Sequence, residues 1–276
     1  RSHISIKRCI FMKRSKKQKR ILKANISALL NFYKKDAAVA DLLAFDFIQN
    51  ALWAALLVSI ATSIIGTLVV VNKMVFVAGG IAHGSYAGLG AAVYLGFIPI
   101  VGALASAVVF AVIIAVLSFT SKDRVDTHIG AMWAFGMATG IILLDLTPGY
   151  NVELMSYLFG SILSLGEFDI WMMSGLNVII VSLIALFYKE IVAVSFDSEF
   201  ASLQGINAKF YYMAMIILIS LGVIVSIQAV GLILIIALLT IPPFIAEKFV
   251  NSIFLMMVVS FVLSLFFMLC GLALAY

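Results

Sequence analysis

The chain has 276 residues, of which 64% are hydrophobic and 11% charged, with a formal net charge of +5. A soluble domain carries about 25% charged residues and roughly 45–50% apolar ones, and a mean hydropathy of +1.19 cannot be hidden inside a water-soluble globule of this size. A soluble enzyme, a disordered chain, a collagen-like repeat and a disulfide-stapled domain are excluded, which leaves a polytopic membrane protein.

The charge divides the chain into two parts. Residues 1–41 hold twelve of the 18 Lys/Arg and two of the 13 acids, a net of +10, and residues 42–276 net −5. The expected organisation is a basic tail over 1–41 and a transmembrane domain over 42–276. The blocks Lys13-Arg14 and Lys16 to Arg20 suit anionic lipid, as polybasic segments beside a membrane do, so no nucleic-acid role is read from them. No compact apolar core with a small-residue cleavage site follows, so a cleavable signal is not expected. The tail is disordered, forms an interfacial helix over 21–41, or is foreign to the native start. Cys9 and Cys270 lie at opposite ends and make no metal or disulfide pattern.

A helix needs about 20 apolar residues to cross the hydrocarbon core. Stretches without Asp, Glu, Lys or Arg run 47–72, 74–121, 127–144, 154–166, 170–188, 210–246 and 249–276. The second is too long for one helix and is expected to break at Gly96 and Pro99, because proline starts a helix better than it continues one. The sixth is expected to divide near Gln228 to Gly231, and 154–166 is long enough only for a half-helix buried in protein. The prediction is an all-α protein of about eight transmembrane helices plus that short half-helix. Between two spans, Phe196 to Ala208 is polar, with Asp197 and Ser198 as helix caps and Gly205 as its close. It reads as a short surface helix or a plain connector. Lys73, Lys122/Arg124, Lys189, Lys209 and Lys248 fall on one side if the spans alternate, and the positive-inside rule makes that side cytoplasmic. The basic tail argues for the opposite orientation.

Polar groups inside a bilayer are costly, and His83 is the clearest case. It stands in Gly79-Gly80-Ile81-Ala82-His83-Gly84-Ser85-Tyr86-Ala87-Gly88. Gly80, Gly84 and Gly88 form a small-residue stripe that lets another helix approach, and His83 borders it. A neutral imidazole there either ligates a transition metal or hydrogen-bonds a neighbouring helix. Asp145 and Glu153 flank Thr147-Pro148-Gly149-Tyr150 and either share a vestibule or are solvated at a turn. Asp46, at the head of the first span with Gln49 and Asn50, carries the same two readings. Asp126 and His128 are expected to be exposed, and Asn177 and Gln228 to bond between helices. There is no phosphate-binding G-x-x-x-x-G-K-[ST] loop and no hydrolytic constellation, so uphill transport needs an external energy source. Gradient-driven carriers keep ionisable groups at mid-membrane, where His83 stands alone, which favours an energy-supplying partner.

The pieces FIQNALWAALLVSIATSIIGTLVVV, VAGGIAHGSYAGLG, HIGAMWAFGMATGIILLDLTPGYNVELMSYLFGSIL, FDSEFASLQGI and VGLILIIALLTIPPFIAEKF stand in one order. In that order, from Asp46 to Ala273, the chain resembles the membrane-spanning permease subunits of bacterial zinc, manganese or iron ABC importers. The resemblance implies the cobalamin-importer-like (type II) permease fold in the inner membrane, and a homodimer with the pathway on its two-fold axis. Two cytoplasmic ATPase subunits would supply ATP hydrolysis, and an extracytoplasmic metal-binding protein would deliver Zn²⁺ or Mn²⁺ (or Fe²⁺). The chain would have no cofactor or ATPase activity of its own. Residues 197–205, with Asp197, Glu199 and Gly205, become the helix that couples to the ATPase, and 147–163 part of the outer vestibule. Many members carry an acid four residues before the histidine, where this chain has Gly79. Glu153, Asp145 or Asp46 then supplies oxygen, or two protomers' histidines share the ion, or the path coordinates only weakly, as a transit site should. From a different class, a proton-coupled secondary metal carrier or a non-transporting scaffold would fit the same composition.

Overall fold

The computed structural model of the protein describes residues 45–120, 124–148 and 160–275. Every regular element among these is helical. They are α1 (Asp46–Val71), α2 (Val75–Leu95), α3 (Pro99–Thr120), α4 (Val125–Asp145), α5 (Glu167–Leu186), α6 (Tyr188–Phe196), α7 (Ser198–Leu203), α8 (Ala208–Glu247) and α9 (Ile253–Ala275). The basic tail and Glu153 lie outside the described residues, and Asn50–Tyr276 forms one compact unit.

The helices α1, α3, α4, α5, α8 and α9 are long and apolar enough to cross a membrane. α2 is left out of that set because His83, Ser85 and its glycines dilute its hydropathy, although its 21 residues reach about 31 Å. α8 has 40 residues and would reach about 60 Å if straight, twice the hydrocarbon core. It is not straight. Gly231 has φ 81° and ψ 168°, a region open essentially to glycine alone. Ile65 of α1 packs at Gly222, while the next residue, Gly66, packs at Leu239 and Pro243. Residues so far apart along α8 can both reach one level of α1 only if the chain folds back at Gly231. Counting α2 and both halves of α8, the described residues hold about eight crossings, with the division where the sequence places it.

The other expected break is also found. Gly96 ends α2 in the left-handed conformation (φ 75°, ψ 23°), its N–H donating to the Val93 carbonyl at 3.1 Å and that of Phe97 to Ala92 at 2.8 Å. These bonds close the helix end, and Pro99 opens α3. The described part of the 154–166 stretch is a 3-10 turn at Ile162–Ser164 followed by extended backbone at Leu165, and the rest lies outside the described residues.

Lipid tails are as apolar as leucine, so helices in a bilayer associate through close packing and not through burial from water. α2 shows this most clearly. A Cβ at Gly88 would run into the Gly102 carbonyl and Ser106 of α3, and one at Gly80 into Ile129 of α4. A Cβ at Gly84 would stand 2.8 Å from the Phe110 ring, and Gly136 of α4 lies against the Gly84 backbone. The predicted stripe is thus shared by two neighbours, α3 antiparallel and α4 parallel to α2. Ser106 Oγ fastens the first pair by donating to the Ser85 carbonyl at 3.0 Å. Buried hydroxyls on α1 turn to their own helix: Ser59 to Ala55 (2.7 Å), Thr62 to Val58 (2.8 Å) and Thr67 to Ser63 (2.7 Å). Asn177 departs from the expected inter-helix bond, its amide donating to Met173 of its own helix at 3.0 Å.

The described Lys and Arg gather at one end. At this end Asn72 donates to Ser195 Oγ at 3.1 Å, joining the α1–α2 turn to α6. Lys73, Arg124, Lys189, Lys209 and Lys248, the Lys and Arg among the described residues, all lie at that end, as the alternation of spans predicts, together with the acids Asp126, Glu190, Asp197, Glu199 and Glu247. At the opposite end Asn50 donates to the Leu165 carbonyl at 3.2 Å, Gly160 packs on the backbone of Val230 and Gly231, and the charges are Asp145, Glu167 and Asp169. The positive-inside rule would make the cation-bearing end the cytoplasmic one, and on that basis the two ends are called inner and outer below.

Candidate functional site

His83 lies about 12 Å along α2, close to its midpoint. Its ring stacks on Trp133 of α4, with centroids 4.0 Å apart and planes 11° from parallel. Phe76, two turns earlier on α2, meets the same indole at 6.1 Å. His83 Nδ1 is buried and has no hydrogen-bond partner among the described residues. The expected alternative, a packing histidine bonded to a neighbouring helix, is therefore not what this nitrogen does. Its neighbour on α4 supplies an aromatic face instead.

Gly79, one turn before His83, stands where the resemblance led one to expect an acid. A Cβ there would lie 3.5 Å from Ile236 and 3.8 Å from Trp133, which is ordinary contact. The position is apolar in its surroundings yet has room. Gly79→Asp is accordingly expected to fold, to place carboxylate and imidazole on one helix face, and to retain Mn²⁺ or Zn²⁺ about tenfold more tightly than wild type. Equilibrium metal binding by the purified permease measures this, and unchanged affinity would show that His83 does not face the metal.

The carboxylates singled out with His83 are dispersed. Asp145 ends α4 in an exposed position, twelve residues or about 18 Å along the helix from Trp133. Asp46 is exposed in the first turn of α1. No group of three or more His, Cys, Asp or Glu able to hold a metal occurs among the described residues. Asp126 is exposed and His128 half-buried. Two participants were not read from the sequence. Trp133 looked like any apolar aromatic in a span, and Asp169 like a routine first-turn acid, yet Asp169 accepts a hydrogen bond from Gln228 across to α8. The inter-helix bond expected of Gln228 is present.

At the inner end, Asp197 caps α7, its Oδ1 accepting from the N–H groups of Glu199 at 3.0 Å and Phe200 at 2.9 Å. Gly205, at φ 85°, closes the segment, and its N–H donates to Ser202 at 3.1 Å. Ala201 is buried and anchors α7, while Glu199 is exposed, as are Phe200 (58%) and Leu203 (86%). α6 was not separated from its neighbours in the sequence. It starts where Phe187 leaves helical geometry (φ −110°, ψ 22°), and it carries Ser195, the partner of Asn72. A chain of contacts thus runs from α7 through α6 to the α1–α2 turn, beyond which α2 leads to His83.

The ABC 3 transport family matches residues 44–276. A membrane protein of Synechocystis sp., slr2045, is 43% identical over 239 residues, 87% of this chain and 85% of the relative. The manganese transport system membrane protein MntC of Halalkalibacterium halodurans is 30% identical over 73% of this chain and 69% of its own. Among solved structures, PsaBC from Streptococcus pneumoniae in complex with Fab superposes with a TM-score of 0.74 at 29% identity, covering 82% of each chain.

Proposed function

The chain belongs to the ABC 3 transport family, and from that premise we propose that it is the membrane-spanning permease subunit of an ATP-driven importer of a divalent transition metal, with Mn²⁺ as the first candidate. It would sit as a multi-pass protein in a bacterial cytoplasmic membrane and work as a homodimer with two ATPase subunits and an extracytoplasmic metal-binding protein. Relatives whose names specify manganese transport support the choice of cargo, and Zn²⁺ is the competing ion.

The observation that carries this reading is α7. A six-residue helix with a complete N-cap, held by one buried alanine, turns Phe200 and Leu203 outward at the cytoplasmic end. Apolar side chains presented on an otherwise polar, well-ordered turn suit the surface of a partner. ATP-driven closure of that partner would push α7, and α6 would pass the displacement to Asn72 through Ser195. The α1–α2 turn, where Lys73 is held at φ 57°, would then shift α2 relative to α3 and α4. Metal arriving from the outer side meets the His83 lone pair, a single neutral nitrogen donor that binds weakly enough to release.

Leu203→Asp tests this without touching the fold, since the side chain is exposed. Expected is loss of co-purifying ATPase and of ATP-stimulated Mn²⁺ uptake, with permease abundance unchanged. Ser198→Ala, also exposed, is expected to leave both in place. Full uptake by Leu203→Asp would overturn the assignment of α7, and uptake by the chain alone in nucleotide-free vesicles would overturn the ATP-driven reading.

A further inference from the structure

We propose that the outer end of the molecule carries a second site, for one hard divalent cation held between the Asp169 carboxylate and the Gln228 carboxamide oxygen. The proposal deepens the reading of the chain as a metal permease, but it is tested by binding without nucleotide or transport, so the two can fail separately.

Asp169 and Gln228 line a cavity of about 340 Å³ together with Ser161, Ser164 and the α2–α3 turn at Ile98 and Pro99. One carboxylate oxygen of Asp169, Oδ2, accepts the Gly166 N–H at 2.9 Å and is occupied by the capping of α5. The other, Oδ1, accepts from Gln228 Nε2. Gln228 Oε1 is buried and has no hydrogen-bond partner among the described residues, which is costly for an amide oxygen. A half-turn of the carboxamide exchanges its two ends and sets Oε1 beside Asp169 Oδ1. Two oxygens about 3 Å apart are the adjacent ligands of a six-coordinate cation with bonds of about 2.1 Å.

The rest of the lining adds oxygen donors and no cationic side chain: no Lys or Arg lines the cavity. The Ser161 and Ser164 side chains add hydroxyl oxygens, although Ser164 Oγ also donates to the Ser161 carbonyl at 2.9 Å. The donors are therefore all oxygen, which selects Mn²⁺, Mg²⁺ or Ca²⁺ over thiophilic ions. The site differs in kind from the nitrogen donor at His83. A cation taken up here would replace the amide hydrogen bond that ties the tip of the α8 hairpin to the start of α5.

The test is a Mn²⁺ titration of the full-length permease in detergent, following free Mn²⁺ by electron paramagnetic resonance. Asp169→Asn, nearly identical in shape, is expected to weaken or abolish one bound Mn²⁺ by about tenfold or more. Gln228→Glu, which supplies a second carboxylate, is expected to tighten it by about as much. Millimolar Mg²⁺ should compete in the wild type. Glu167→Gln removes a charge two residues away, on a side chain that does not line the cavity, and is expected to bind as wild type. Folded Asp169→Asn with wild-type stoichiometry and affinity overturns the proposal. Should Asp169→Asn not fold, Gln228→Glu decides: tighter binding upholds the site, and unchanged affinity overturns it.

Discussion

Uptake of Mn²⁺ by cells carrying His83→Phe is expected to fall about 10–100-fold at unchanged permease abundance. The phenyl ring keeps an aromatic face to stack on Trp133, a contact worth about 0.5–1.5 kcal/mol, and removes both ring nitrogens, the acceptor lone pair and the N–H alike. The substitution therefore separates two explanations that alanine would confound. Were His83 there to hold α2 against α4, phenylalanine would serve as well as histidine, because Nδ1 makes no hydrogen bond to any described residue. His83→Ala should lose the stack as well, and any thermal destabilisation it shows beyond His83→Phe measures that packing. Wild-type uptake by His83→Phe would remove His83 from the path of the metal. Trp133 contributes no donor toward an ion, but its face covers one side of the imidazole and limits the directions from which the lone pair can be approached.

Gly88→Val is expected to abolish the folded permease. The added Cβ would meet the Gly102 carbonyl oxygen and Ser106, and the first of these is backbone, which cannot turn aside as a side chain does. Overfilling a packed interior costs about 1–3 kcal/mol when neighbours can move; here two helices must separate along their length. Lipid offers no hydrophobic penalty for that separation, so the close approach is itself much of what holds α2 to α3. Gly175→Ala is the control, since a Cβ there meets nothing within 4 Å and alanine favours the helix by about 1 kcal/mol. Size-exclusion profiles and thermal midpoints in detergent distinguish the two. A monodisperse Gly88→Val with a wild-type midpoint would show that α2 and α3 do not pack through this glycine.

Legibility followed the kind of signal each residue carries. Gly231 and Gly96 were found because few residues besides glycine tolerate their backbone angles, so the need shows in the residue type. His83 was found because an imidazole in an apolar run is expensive wherever the run ends up. Trp133 was not, because a tryptophan facing lipid and one stacked on histidine look alike in sequence. Asp169 was passed over because acids are common in a helix's first turn, and its partner Gln228 stands 59 positions away. The dispersion of Asp145 from His83 was equally invisible, since two residues in separate spans have no defined depth relative to one another until their helices are paired.

The amino-acid sequence alone settled that this chain crosses the membrane many times, where its spans break and which family it resembles. Those properties are sums over local stretches: apolar transfer, backbone preference and charge each accumulate residue by residue along the chain. Tertiary structure alone decided that Trp133 covers His83, that the glycine stripe serves two helices, that α8 doubles back against α1, and that Asp169 meets Gln228. Each of these depends on which faces of distant helices come together. In a bilayer that choice is made by shape and hydrogen bonding between particular side chains, which no local average along the chain records.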